Sequence, residues 1–214
     1  MIGENIDQTK LNETAASELL LEFPSLLNSK RIVIAIAGES GSGKTHMAVA
    51  LEHTLNHFGK RSFILHMDDF FILPPALNHQ KRVENISHVG PQEVDLNRLN
   101  AIIDSFKAGA DVLHVPQVHY YDNRIEELEI AVGDIDILLV EGTYSFYLAL
   151  LDFKLYMSRT FKETRELRAL RNRGNEINDP FVEEVLALEH ELICQKKSEA
   201  DAMIDYHFNL KINE

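Results

Sequence analysis

The sequence predicts a single three-layer α/β domain built on a parallel sheet, and three neighbouring stretches carry the prediction. Arg31-Ile32-Val33-Ile34-Ala35-Ile36-Ala37 is a continuous apolar run, the pattern of a strand buried on both faces of a parallel sheet. It leads directly into Gly38-Glu39-Ser40-Gly41-Ser42-Gly43-Lys44-Thr45, which fits the phosphate-loop pattern of glycine, four residues, glycine, lysine and a hydroxyl residue. Met47, Leu51, Leu55 and Phe58 then recur at helical spacing up to Gly59, so a helix follows the loop and stops there. Strand, glycine loop and helix in that order form the context in which such a loop holds phosphate.

Each residue type in the loop has a physical task. The glycines let successive backbone N–H groups turn toward one anion, Lys44 adds a mobile positive charge over the outer phosphates, and the Thr45 hydroxyl at the start of the helix is a ligand for Mg²⁺. The nucleotide-binding set expected from this stretch is Gly38, Glu39, Ser40, Gly41, Ser42, Gly43, Lys44, Thr45 and the adjacent His46.

Composition sets the outer limits. The chain has 214 residues, 45% of them hydrophobic and 26% charged, which suits one domain with a full core. Its longest apolar run is about seven residues, far short of a membrane span, and its start lacks a basic segment followed by an apolar core. A cytoplasmic protein is expected, with no membrane partner and with room for a homo-oligomer. A lone Cys194 cannot form an internal disulfide and is read as an inert helical thiol. The formal charge of -13 opposes non-specific binding to nucleic acid, so any polyphosphate must be held by local positive charge.

The remaining elements follow in order. Residues 1–30 place Leu11, Ala15, Leu19, Leu20 and Phe23 at helical spacing before Pro24, giving an N-terminal helical extension laid against the domain. After the loop helix, Arg61-Ser62-Phe63-Ile64-Leu65-His66-Met67 reads as a second strand running into Asp68-Asp69-Phe70-Phe71. Acids at a strand's C-terminal end lie where open α/β sheets bind ligands. Asp68 is therefore the candidate catalytic base and a candidate metal-side group; with a pKa of about 4 it is ionised at neutral pH, so its main contribution is to orient a hydroxyl. Residues 72–94 read as a polar, proline-rich connection of weak periodicity, suited to binding an acceptor.

Asp95 then caps a helix through Leu99, Ile102, Ile103 and Phe106, and Asp111-Val112-Leu113-His114-Val115-Pro116 is a short strand. The aromatic and basic run Gln117 to Arg124 that follows can stack on a ring and hydrogen-bond its substituents. Ile137-Leu138-Leu139-Val140-Glu141-Gly142 is an apolar strand ending in an acid, which makes Glu141 the metal-side carboxylate opposite the phosphate loop. Lys154-Leu155-Tyr156-Met157 is a further strand leading to Arg159, Lys162, Arg165, Arg168, Arg171 and Arg173. So dense a basic cluster in so acidic a chain suits a lid over the phosphates, spanning about 159–178. Asp179-Pro180 starts a helix with Val182, Val185, Leu186, Leu192 and Ile193 as its buried stripe, and residues 202–208 form the last strand.

Taken together, these pieces resemble the P-loop kinases of the uridine kinase and phosphoribulokinase group, which includes nicotinamide riboside kinases, over roughly residues 31–210. His66-Met67-Asp68-Asp69-Phe70-Phe71 resembles the segment carrying the family's catalytic aspartate, and Val140-Glu141-Gly142 its Glu-Gly strand end. Val115-Pro116 with Tyr121, Asp122 and Arg124 looks like the nucleoside-binding segment. Glu163-Thr164-Arg165 resembles the lid helix, and Lys196-Lys197 with Ala200-Asp201 the segment before the last strand. The resemblance implies a P-loop NTPase fold: a five-stranded parallel sheet flanked by helices with an arginine-bearing lid. It also implies ATP and Mg²⁺ as cofactors and transfer of the γ-phosphate to a primary hydroxyl, first of all the 5′-OH of a nucleoside. Lys44, Asp68, Arg165 and Arg168 are then the catalytic set, Arg171 and Arg173 join the nucleotide site, and Asp69, Phe70, Gln92, Tyr120, Tyr121 and Arg124 face the acceptor.

Two departures stand out. Where uridine kinases carry Pro-Asp-x-Phe-Asp, with the first Asp on the ribose hydroxyls, this chain has Pro91-Gln92-Glu93-Val94-Asp95, and Arg171-Asn172-Arg173-Gly174 is more compact than the family's lid. Nicotinamide riboside, pantothenate or a sugar phosphate would need the same catalytic parts with a different lining. A nucleotide-dependent switch is the competing class; the chain has neither an Asn-Lys-x-Asp nor an Asp-x-x-Gly run to support a GTPase of that kind.

Overall fold

The computed structural model describes residues 8–119, 124–165, 168 and 179–213. Its centre is a six-stranded sheet in the order β2-β5-β1-β6-β7-β8, with β1 at Ile32–Gly38, β2 at Ser62–His66, β5 at Ile137–Glu141, β6 at Phe153–Met157, β7 at Ala202–Ile204 and β8 at Leu210–Ile212. The first five in that order pair in parallel. The expected five-stranded parallel core is present, and β8 adds an antiparallel sixth strand at one edge. The expected last strand is accordingly shorter: it ends at Ile204, and a turn at residues 205–209 folds the chain back.

β1 is buried at every position, as its apolar run requires. Its side chains alternate between two cores. Ile32, Ile34 and Ile36 pack with Met47, Leu51 and Leu55 of α3 (Lys44–His57) and with Ala15, Ala16, Leu19 and Leu20 of α1 (Gln8–Glu22). On the opposite face Val33 joins Leu99, Ile103 and Phe106 of α5 (Leu96–Lys107), while Ala35 and Ala37 meet Ile193 of α6 (Pro180–Lys196). A short α2 (Ser25–Asn28) links α1 to the sheet. The capping expectations are met by side-chain bonds, Asp95 Oδ1 accepting from the Arg98 N–H at 2.9 Å and Asp179 Oδ1 from the Phe181 N–H at 2.9 Å.

Two regions differ from the sequence reading. The connection at 72–94 contains a helix, α4 (Pro75–Glu84), with Pro75 at its first turn. The strand expected at residues 111–116 runs through Val112–His119 as β3 and pairs antiparallel with β4 (Arg124–Ala131) in a separate two-stranded sheet. That hairpin is tied to the domain by Asp69, whose Oδ1 accepts the Val118 N–H at 2.9 Å.

Candidate active site

The C-terminal edge of the parallel strands gathers the chemistry. β1 ends in the phosphate loop, β2 in the 3-10 turn Met67–Phe70 that carries Asp68, and β5 in Glu141. The β2–β5 register sets His66 opposite Glu141. Gly142 is required just beyond: a Cβ there would lie 2.3 Å from the Met67 Cβ, so any side chain would push the Asp68 turn off the sheet.

In the loop, Gly41 has φ +81° and a Cβ there would come within 2.9 Å of Arg168 Cγ and 3.0 Å of Thr164 Oγ1. Only glycine relieves both the left-handed backbone and that contact. Thr164 Oγ1 donates to the Ser40 carbonyl at 3.2 Å, so the start of the arginine-rich segment sits directly on the loop. Lys44 Nζ donates to the Glu39 carbonyl at 3.0 Å. The Glu39 side chain itself is buried and committed elsewhere, accepting from the Phe161 N–H at 2.6 Å and facing His190 Nδ1 at 2.6 Å. The Glu39 side chain thus braces the loop from behind, leaving its backbone as the part that lies in the phosphate loop.

Glu141 is the electrostatic centre of the metal side. Its Oε1 accepts from Thr45 Oγ1 at 3.1 Å and lies 2.8 Å from His66 Nδ1. Burial alone would push this carboxyl up, but the His66 hydrogen bond, the Lys44 charge and the Thr45 hydroxyl hold it below the usual carboxylate value. His66 is raised in return, first by its bond to Glu141 and against its own burial. A Mg²⁺ ion with oxygen ligands at about 2.1 Å needs neighbouring ligands about 3.0 Å apart. The Thr45–Glu141 oxygen separation of 3.1 Å and the all-oxygen donors fit that requirement.

Asp68 is exposed at the strand edge and lines a cavity of about 250 Å³ with Phe71, Asn78, His79, Arg82 and Val118. A second cavity of about 410 Å³ is lined by Ser40, Arg168, Asp179 and Glu189 and shares His79 and Arg82 with the first. One cleft thus runs from Asp68 past α4 to the phosphate loop. Arg168 is buried at its wall, with Nη2 donating to the Phe161 carbonyl at 3.1 Å and facing Glu183 at 3.5 Å. Arg165 is exposed on the same segment.

Several expected acceptor contacts are placed differently. Phe70 is 3% exposed and belongs to the core with Val94 and Leu99, so its ring is a correction: it offers no surface to an acceptor. Gln92 is another, because its amide donates to the carbonyls of Ser87, His88 and Val89 at 2.9–3.1 Å and closes its own loop. Asp69 is spent on the hairpin bond, which partly offsets the upward push of burial on its carboxyl. Arg124 is exposed and pairs with Glu126 at 3.4 Å; His46, expected at the nucleotide rather than the acceptor, is exposed and lines a cavity between α1 and α3 together with Thr45. Tyr120, Tyr121, Arg171 and Arg173 lie outside the described residues. The sequence reading placed Arg82 only within the broad 72–94 acceptor connection and gave no individual role to His66 or Glu189; the pairing of distant elements brings all three to the cleft.

A sequence model of the phosphoribulokinase/uridine kinase family matches residues 33–209. The chain belongs to that family. Among its relatives, the bifunctional alpha-galactosidase/sucrose kinase AgaSK of Mediterraneibacter gnavus is 30% identical over 186 residues, covering 81% of this chain and 20% of that protein. Uridine-cytidine kinase B of Dictyostelium discoideum is 26% identical over 152 residues, covering 68% of this chain and 61% of that protein. The chain therefore spans a fifth of the first relative's length and less than two thirds of the second's. In fold, this family member superposes on a Bacillus stearothermophilus protein described as a possible uridine kinase, with TM-score 0.63 and 21% identity over 89% of this chain and 97% of that one. The architecture is that of a P-loop kinase, and no described helix is long and apolar enough to cross a membrane.

Proposed function

We propose that the chain is an ATP-dependent kinase that transfers the γ-phosphate to a primary hydroxyl of a small acceptor, in the first reading the 5′-OH of a nucleoside. The observation that carries this is the convergence at one sheet edge of the phosphate loop, the Thr45–Glu141 oxygen pair at 3.1 Å and an exposed Asp68 facing a cleft. Loop amides and Lys44 hold the nucleotide phosphates. Thr45 and Glu141 would hold Mg²⁺, which supplies neutralisation of phosphate charge when bound. Asp68 accepts a hydrogen bond from the acceptor hydroxyl and points its oxygen at the phosphorus, and Arg168 with Arg165 screens charge that builds on the transferring group.

A sugar acceptor is the second reading. It is supported by the match to a sucrose kinase and by Gln92, whose amide is folded onto its own loop where uridine kinases offer an aspartate to ribose. Both readings are tested by incubating purified protein with ATP and Mg²⁺ and uridine, cytidine, nicotinamide riboside, sucrose or fructose, following ADP release beside phosphorylated product. Product from one acceptor is expected. ADP release without product from any would instead support a nucleotide-hydrolysing switch.

A further inference from the structure

Arg82 and Glu189 lie 107 residues apart in sequence and meet in the cleft wall, with Arg82 Nη2 donating to Glu189 Oε1 at 3.2 Å. Arg82 projects from α4 and Glu189 from α6, and neither is used by the transfer chemistry described above. Arg82 is fixed from behind by Glu93, which is fully buried and receives both its Nε and, at 2.9 Å, its Nη2. Glu93 is fixed in turn by the Asn78 amide at 2.9 Å and the Gly90 N–H at 2.8 Å. The guanidinium plane is therefore set before any ligand arrives, which lowers the ordering cost of binding.

Resting on the kinase reading, we infer that Arg82 and Glu189 recognise the acceptor, and that the acceptor is an uncharged molecule with vicinal hydroxyl groups, a nucleoside or a sugar. Two observations carry this. Arg82 borders both cavities and Glu189 the one beside Ser40, so the pair flanks the path from Asp68 to the phosphate loop. A hydroxyl both donates and accepts, and a guanidinium beside a carboxylate offers one donor face and one acceptor face, which suits two adjacent hydroxyls. The charges at this wall weigh against the anionic alternatives. Glu93 and Glu189 share the guanidinium of Arg82, and Arg168, which lines the same cavity as Glu189, faces Glu183 at 3.5 Å, so an acceptor bearing a carboxylate or phosphate at this wall meets carboxyl groups that already engage the guanidiniums beside it. Pantothenate and sugar phosphates are disfavoured on that ground. Lys44 and the loop amides remain for the nucleotide.

The test uses the full chain with ATP and Mg²⁺. Uridine, cytidine, sucrose and fructose form the neutral set, and pantothenate and ribulose 5-phosphate the anionic set. Product is expected from the neutral set alone. Glu189→Gln, which keeps the shape and removes the charge, is expected to raise KM for the accepted molecule about tenfold with kcat and the KM for ATP little changed, the scale of one lost charge-assisted hydrogen bond. The deoxy analogue lacking one of the vicinal hydroxyls should be used equally well by wild type and Glu189→Gln, an outcome that a merely structural tie between α4 and α6 does not produce. Arg82→Lys, which keeps the charge and loses the fork, supplies the same comparison should Glu189→Gln fail to fold. Transfer to an anionic acceptor overturns the inference and leaves the kinase reading standing, and so does an unchanged KM in Glu189→Gln. No product from any neutral acceptor also overturns it, and ATP binding measured on the same sample then decides whether the kinase reading falls with it.

Discussion

Glu141 and Glu189 are buried to nearly the same extent, 6% and 8% exposed, on two sides of one cleft, yet their environments drive them in opposite directions. Glu141 faces a histidine, a lysine and a hydroxyl that together outweigh burial and keep it ionised. Glu189 has the Arg82 guanidinium, already shared with Glu93, and a weaker pull from Lys44, which Glu93 and Asp68 oppose, and burial prevails: its carboxyl is pushed up to about 7. Equal burial thus produces a standing anion on the metal side and a carboxyl poised between charge states on the acceptor side. What separates them is the number of positive and donor groups each must share. The division matches the two tasks: a fixed charge for a cation, and a hydrogen-bonding group for hydroxyls.

The sharpest way to break this comparison is Glu141→Gln. At fixed Mg²⁺ the turnover should fall on the order of 10²–10³-fold, because the cation loses its anionic ligand while the fold is kept; steady-state rates across a Mg²⁺ titration measure it. Next comes stability against pH. Glu189 has a folded pKa near 7 against an ordinary 4.5, so the folded state binds its proton more tightly. Its contribution to stability is complete below about pH 4.5 and is lost as pH rises toward 7, a change on the order of 3 kcal/mol. Glu141, with its lowered pKa, has the opposite sign: its contribution is present above its ordinary value and is lost as pH falls through the folded one. Urea unfolding at several pH values should show the first slope in wild type and its absence in Glu189→Gln. His66→Ala removes one hydrogen bond from Glu141 and should weaken Mg²⁺ dependence about tenfold, readable from the same titration. The smallest expected effect is Gln92→Asp. With its three carbonyl contacts made by one exposed amide, it should shift stability by about 1 kcal/mol and acceptor KM little.

The donor half of the cleft was legible in the sequence because its parts are contiguous. β1, the glycine loop and α3 occupy one uninterrupted stretch, and each residue type in it answers to one constraint. Glu141 could be read because an acid ends an apolar strand. The rest of the cleft is assembled from afar. His66 faces Glu141 only through the β2–β5 register, and Arg82 reaches Glu189 across 107 positions. Helix α4 escaped notice for a physical reason: the face it turns inward is polar, with Asn78 and Arg82 bound to buried Glu93, so no apolar stripe marks it. Phe70 misled because it follows two acids, whereas the 3-10 turn that exposes Asp68 rotates Phe70 into the core. Gln92 misled because a sequence position was read as a direction, and its amide bonds back to its own loop.

The most direct test of the account is γ-phosphate transfer by wild type and Asp68→Asn, with ATP binding measured on both. Transfer to a neutral hydroxyl acceptor by wild type, reduced about 10³-fold in Asp68→Asn with ATP affinity intact, is the predicted result. Equal turnover by the two proteins would contradict the role given to Asp68 and, with it, the placement of the acceptor in this cleft.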